Sequence, residues 1–156
     1  MKKRGLLLGI LVACLLLAGC TQKAAETPLK ACAEVLAAIE ASQTFEEMTA
    51  LSDQQTLKYL DLNESLLSDS AMSMDASRAT AEGIVVLTAT DAENLKQAQQ
   101  ALEAYRDVTL EQYRDYRPDE VPKLENAVLQ TKGLQTVLIV SKDAAAAKTA
   151  LETAWK

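Results

Sequence analysis

The sequence predicts an α+β fold: a four-stranded antiparallel sheet made of two β-β-α units, with two long helices on one face and shorter N-terminal helices closing an end. Three patterns carry this. Met72, Met74 and Ala76 alternate with Ser73, Asp75 and Ser77, the period-two signature of a strand with one wet face. Two short continuous apolar runs, Ile84-Val85-Val86-Leu87 and Val137-Leu138-Ile139-Val140, read as further strands. A helix opening on aspartate follows each run, and Asp91-Ala92 stands at the same offset from Val85 as Asp143-Ala144 from Val137.

In chain order, Lys2, Lys3 and Arg4 form a basic start, and residues 6–18 follow as an apolar run broken only by Gly9 and Cys14. This reads as an export signal. Its length of about 13 residues falls short of the roughly 20 that a spanning helix needs. Leu17-Ala18-Gly19-Cys20 looks like the lipobox of bacterial lipoproteins, cut between Gly19 and Cys20, with a diacylglyceryl group placed on the Cys20 sulfur. The plain alternatives are an ordinary cysteine after a conventional signal, or an uncleaved membrane anchor.

The lipobox reading divides the 156 residues into a signal peptide (1–19), a lipidated cysteine with a short tether (20–28), and one α+β domain (29–156). Two acyl chains hold a protein stably where one holds it marginally. The expected location is therefore the extracytoplasmic face of the cell membrane, with the lipid as the membrane contact. The chain left after cleavage carries 13 basic and 22 acidic side chains, a formal charge of −9. Such a body is repelled by an anionic bilayer within about a Debye length.

Thr27-Pro28 supplies an N-cap and a first-turn proline, predicting a helix to about Ser42 with Leu29, Cys32, Leu36 and Ile39 on one stripe. That stripe favours a packed Cys32 over a reactive one. Thr44-Phe45-Glu46-Glu47 and Ser52-Asp53-Gln54-Gln55 are capping-box patterns, so two short helices are expected, with Leu57 and Leu60 inward and Phe45 and Met48 as core filler. Gly83 precedes the first apolar strand. Thr90-Asp91-Ala92-Glu93 caps a long helix to about Tyr113, with Leu95, Ala98, Leu102 and Tyr105 on one side, and Pro118 stops or restarts it. The second unit runs from a strand at residues 127–132, through a turn at Gly133 and a strand at 137–140, to a helix at 143–155 with Ala144, Ala147, Leu151 and Ala154 inward.

Tyr116-Arg117-Pro118-Asp119-Glu120-Val121-Pro122-Lys123-Leu124-Glu125-Asn126-Ala127-Val128, followed by Lys132-Gly133, resembles a family of uncharacterised bacterial lipoproteins, mostly Gram-positive, that carry a conserved domain of unknown function after a lipobox. The resemblance spans about residues 29–156. It implies the same fold class and membrane location, and brings no catalytic residues with it. The family places a polar residue and then Tyr after the hairpin glycine, whereas Leu134 and Gln135 stand here.

With 22 acidic against 16 basic residues there is no basic stripe for phosphates, so nucleic acid is not an expected partner. The chain has no histidine, which removes Ser-His and Cys-His pairs and imidazole metal sites. No catalytic residue, metal or cofactor is expected. Asp61-Leu62-Asn63-Glu64-Ser65 opens like a calcium loop, but Leu66 and Met72 occupy the places where an EF-hand needs Gly and Glu. The candidate ligand-binding set is Arg106, Arg114, Tyr116 and Arg117, because arginine forks grip carboxylates or phosphates and flat aromatics stack on sugars or peptides. The plainer reading packs Tyr105 and Tyr113 on the sheet and pairs the arginines with Asp107, Glu111, Asp115 and Asp119. A carboxylate pair from Asp115, Asp119, Glu120 and Glu125 would suit a carbohydrate-active enzyme, the third-ranked reading. Above it stand a lipid-anchored binding or interaction module for an unknown surface protein, and a lipoprotein that binds a small ligand or a cell-wall glycan.

Overall fold

The computed structural model describes residues 28–156, so the expectations for the signal, Gly19, Cys20 and the Thr27 cap lie outside the described residues. The elements are α1 (Cys32–Glu40), β1 (Met48–Ala50), α2 (Asp53–Leu60), β2 (Leu67–Asp75), β3 (Gly83–Ala89), α3 (Ala92–Tyr116), α4 (Val121–Glu125), β4 (Val128–Lys132), β5 (Gln135–Val140) and α5 (Ala144–Ala154). All strand pairs are antiparallel, in the order β1-β2-β3-β5-β4. Among the described residues no helix is long and apolar enough to cross a membrane.

The two β-β-α units are present, with β2-β3-α3 followed by β4-β5-α5, but their helices lie on opposite faces of the sheet. Val85, Leu87, Leu138 and Val140 join Ala98, Leu102, Tyr113 and Leu124 in one core beneath α3, while Ile84, Val86, Val137 and Ile139 join Ala147, Leu151 and Ala154 in another beneath α5. Register is the cause. Val85 pairs with Leu138, and Val86 pairs with Val137, so the repeat counterparts Val85 and Val137 are one residue out of step across the β3–β5 junction and point to opposite sides. Each helix packs on the face its own valine addresses. A one-residue slip in a strand pair exchanges the faces, so this register decides between one helical layer and two.

Four local expectations change with it. The sheet has five strands, because Met48–Ala50 pairs with residues 73–75 of β2 instead of continuing a helix from Thr44. The Glu46 N–H donates to the Glu82 carboxylate (2.8 Å) and not to a local cap, and a short helix of marginal stability gives way to a paired sheet edge. The first helix begins at Cys32, not at Pro28. Its Ala31 N-cap has no capping side chain, and the Asp69 carboxylate of β2 accepts the Cys32 N–H at 2.7 Å in its place. Ser73 and Asp75 are buried where a wet face was expected. The N-terminal helices do not close an end: α1 packs against α5, β2 and β3, and α2 against β2 and α3.

The capping box at Ser52 and Gln55 forms as expected, and Asp91 and Asp143 cap α3 and α5. Along α3, Ala98 and Leu102 are fully buried, while Leu95 is only half-buried. With 25 residues, α3 is about 37 Å long, and it stays packed to its last turns, where Thr109 and Tyr113 are buried.

Candidate functional site

The four residues expected to bind a ligand do not come together. Arg106 pairs with Asp107 at 2.7 Å, Arg114 with Glu111 at 2.5 Å, and Arg117 with Asp119 at 3.1 Å, each on its own stretch of chain. Tyr116 is 77% exposed. Among the described residues no hydrogen bond or ion pair joins any of these four to another. The hydrogen bonds from Arg117 to Asp119 hold the guanidinium above its ordinary range and the carboxyl below its own.

The arginine that does meet the tyrosines is Arg78, in the β2–β3 turn, held in the left-handed region at φ 59°. Its charge lies near the phenols of Tyr105 and Tyr113, both of which burial pushes up. The Tyr113 hydroxyl donates to the Thr80 carbonyl, with the Arg78 carbonyl 3.2 Å away, and so locks the end of α3 to that turn. Asp75 closes the same turn by accepting from Ser77 N–H (2.8 Å) and Thr80 N–H (2.8 Å). Burial raises the Asp75 carboxyl, and the hydrogen bonds from Ser77 and Thr80 outweigh it and leave it below its ordinary value.

Next to this turn lies a buried ionic cluster. Lys123 of α4 donates to Glu82 at 3.1 Å and to Glu120 at 2.9 Å, with side-chain exposures of 18%, 3% and 8% respectively. The second oxygen of Glu82 takes the Glu46 N–H, and Glu120 also takes the Ala81 N–H at 2.8 Å. Two carboxylates, one ammonium and two backbone donors thus satisfy one another, as buried charge requires. Burial opposes the charge on Lys123, and its bonds to Glu120 and Glu82 more than offset that, holding the ammonium above the ordinary lysine range.

The Lys123 stem forms one wall of an open cleft of about 630 Å³, within the range of small-ligand sites. The α1–β1 loop gives Gln43 and Thr44, α4 gives Pro122, Lys123 and Asn126, and the β5–α5 junction gives Ser141 and Lys142. The Asn126 amide donates to the Pro122 carbonyl (2.8 Å), and the Ser141 hydroxyl to the Asp143 carbonyl (3.1 Å), which fixes the rims. Lys142 is exposed and has no ion pair among the described residues, and the Gln43 amide nitrogen is buried without a hydrogen-bond partner. Asp143 also lines the cleft, with one carboxylate oxygen taken by the Ala146 N–H, so the amide, hydroxyl, ammonium and carboxylate groups together suit a polar ligand with both acceptors and donors.

A family model described as a domain of unknown function, DUF4358, matches residues 41–150. The chain belongs to the DUF4358 family. No curated protein and no solved structure matches it. The DUF4358 match covers every cleft residue and the whole ionic cluster.

The other sequence candidates resolve as structural parts of this DUF4358 domain. Asp61 is the left-handed C-cap of α2, and Asn63 caps the 3-10 turn Glu64–Leu66. Among the described residues no cluster of three or more metal-type ligands occurs. Cys32 is buried, with its sulfur 3.2 Å from the Thr88 hydroxyl, and burial pushes its thiol up to about 12. Asp119 faces Arg117 while Glu120 faces Lys123, so the expected acidic group is split between surface and interior. Gln43, Lys123 and Lys142 were missed because they lie far apart in sequence. The one available signal was the helix restart at Pro118, which places Lys123 and Asn126 on a short helix after a long one.

Proposed function

We propose that this chain is an exported, lipid-anchored binding module, held to the extracytoplasmic face of the cell membrane by acylated Cys20, that meets its partner through the cleft beside Lys142. The observation that carries the reading is the position of that cleft. The chain joins the domain at the start of α1 and the β4–β5 turn, where a Cβ on Gly133 would stand 3.6 Å from Leu29. The cleft lies at the other end of the sheet, beyond the last residues of α1 and β5. One strand length, about 20 Å, separates the two. A domain tethered at the first end offers the second to the space outside the membrane.

Binding without catalysis is the reading the residues support. The chain has no histidine, and Glu82 and Glu120 are both engaged by Lys123. A small polar ligand or a cell-wall glycan fragment is the alternative occupant, favoured by the cleft's size. Cell fractionation and crosslinking on intact cells, comparing the native protein with Cys20→Ala and Lys142→Glu, test the proposal. Loss of membrane retention only in Cys20→Ala, and loss of the captured partner or glycan in Lys142→Glu, are expected. Retention of Cys20→Ala would remove the anchor, and unchanged capture by Lys142→Glu would remove the cleft.

A further inference from the structure

The end of the sheet where the tether joins has its own chemistry. Gln135, fully buried, donates to the Lys30 carbonyl (3.0 Å) and accepts the indole N–H of Trp155 (2.7 Å). The Lys132 ammonium donates to the Trp155 carbonyl. These bonds gather Lys30, Lys132, Trp155 and the adjoining Lys156 at one corner, on the α5 face. Glu34 pairs loosely with Lys30 at 3.8 Å, both side chains exposed, and Glu152 stands one turn back on α5. Asp69, beside the start of α1, adds a third carboxylate, so the three lysines are matched one for one at this corner, in a chain whose 13 basic and 22 acidic side chains after residue 19 leave it at −9 overall.

We propose that this corner seats on anionic lipid headgroups, with Lys30 and Lys156 among the phosphates and Trp155 at the interface. The inference rests on the Cys20 anchor and adds an orientation to it. Two observations select lipid as the occupant. The tether of residues 20–28 can extend only about 30 Å and joins the domain within this corner, at Leu29 and Lys30. Lysines near an anionic leaflet are attracted to it, and tryptophan favours the interfacial layer. The acyl chains hold the corner at high effective concentration over the bilayer, so a weak surface contact suffices to orient the domain. The same contact turns the acidic remainder, and the cleft, away from the membrane.

Trp155 is the single tryptophan, so its emission reports this corner alone. The acylated full chain is reconstituted in phosphatidylcholine vesicles with and without phosphatidylglycerol, each prepared with and without brominated acyl chains. The expected result is loss of Trp155 emission to the brominated lipid in phosphatidylglycerol vesicles, with recovery at high salt and in Lys30→Glu/Lys156→Glu. That variant leaves Lys132 and its bond to Trp155 in place. Full emission from protein that floats with the vesicles overturns the orientation while the anchor stands, and equal quenching in the variant overturns the lysine contact. Failure to float overturns the anchor and the orientation with it.

Discussion

The two ends of the sheet are closed by different chemistry. At the tether end, buried Gln135 and Cys32 and half-buried Thr88 and Trp155 form a network that is almost wholly neutral, with Gln135 donating to Thr88 at 3.0 Å and to the Lys30 carbonyl. At the cleft end, Glu82, Glu120 and Lys123 are charged and nearly as deeply buried. A neutral clamp holds whatever the surrounding charge. An ionic clamp ties its stability to its one ammonium, and the stem that carries that ammonium also lines the cleft, so a ligand there touches a residue that holds the end of the fold together.

Removing the ammonium is the most damaging change. Lys123→Met leaves two buried carboxylates facing each other, and we expect a loss of about 3–5 kcal/mol in chemical denaturation. An effect near zero would show that the cluster is solvated and that the two ends do not differ. Gln135→Leu strands the Trp155 indole N–H and the Lys30 carbonyl. The expected cost is roughly 1–3 kcal/mol, smaller because no charge is left unpaired.

Titration separates the ends further. Asp75 lies below its ordinary value when folded, so its contribution is whole above the unfolded value of about 3.9 and is lost as pH falls through the folded one. Lys123 lies above its ordinary value, so its contribution is whole below about 10.4 and is lost as pH rises through the folded value. Cys32 adds an alkaline loss at the tether end, because the folded thiol stays neutral up to about 12 while the unfolded one ionises from about 8.5. Melting curves against pH for native protein, Lys123→Met and Cys32→Ala should assign the two alkaline losses. A Cys32→Ala curve that matches the native one above pH 9 would contradict the buried neutral thiol.

The smallest effect belongs to the surface arginines. Arg114→Ala with Arg117→Ala should leave the melting temperature within a few degrees, since both pairs are exposed and local. A large drop would mean that they do more than pair with Glu111 and Asp119.

What the sequence made legible follows from the range of the interactions. The caps at Ser52, Asp91 and Asp143 and the turn at Gly133 are set by residues within a few positions, and they form as read. The central strands were plain for another local reason: β3 and β5 are buried on both faces and so read as continuous apolar runs. Long-range pairing was not legible. Nothing near Met48 announces β2 as its partner, nothing near Ala31 announces the Asp69 cap, and no local pattern sets Val85 opposite Leu138 instead of Val137. The candidate site failed for the same reason. Arg106, Arg114 and Arg117 are close in sequence and each finds a neighbouring partner, and Tyr116 stands exposed, whereas Gln43, Lys123 and Lys142 meet only after the strands have paired.

The division of labour between the ends is tested most directly by a photo-crosslinking residue placed in the full chain on intact cells, once at Lys142 in the cleft and once at Thr131 near residue 28. The account predicts a discrete adduct, protein or glycan, from position 142 and none from position 131. Adducts from position 131 alone, or equally from both, would contradict it.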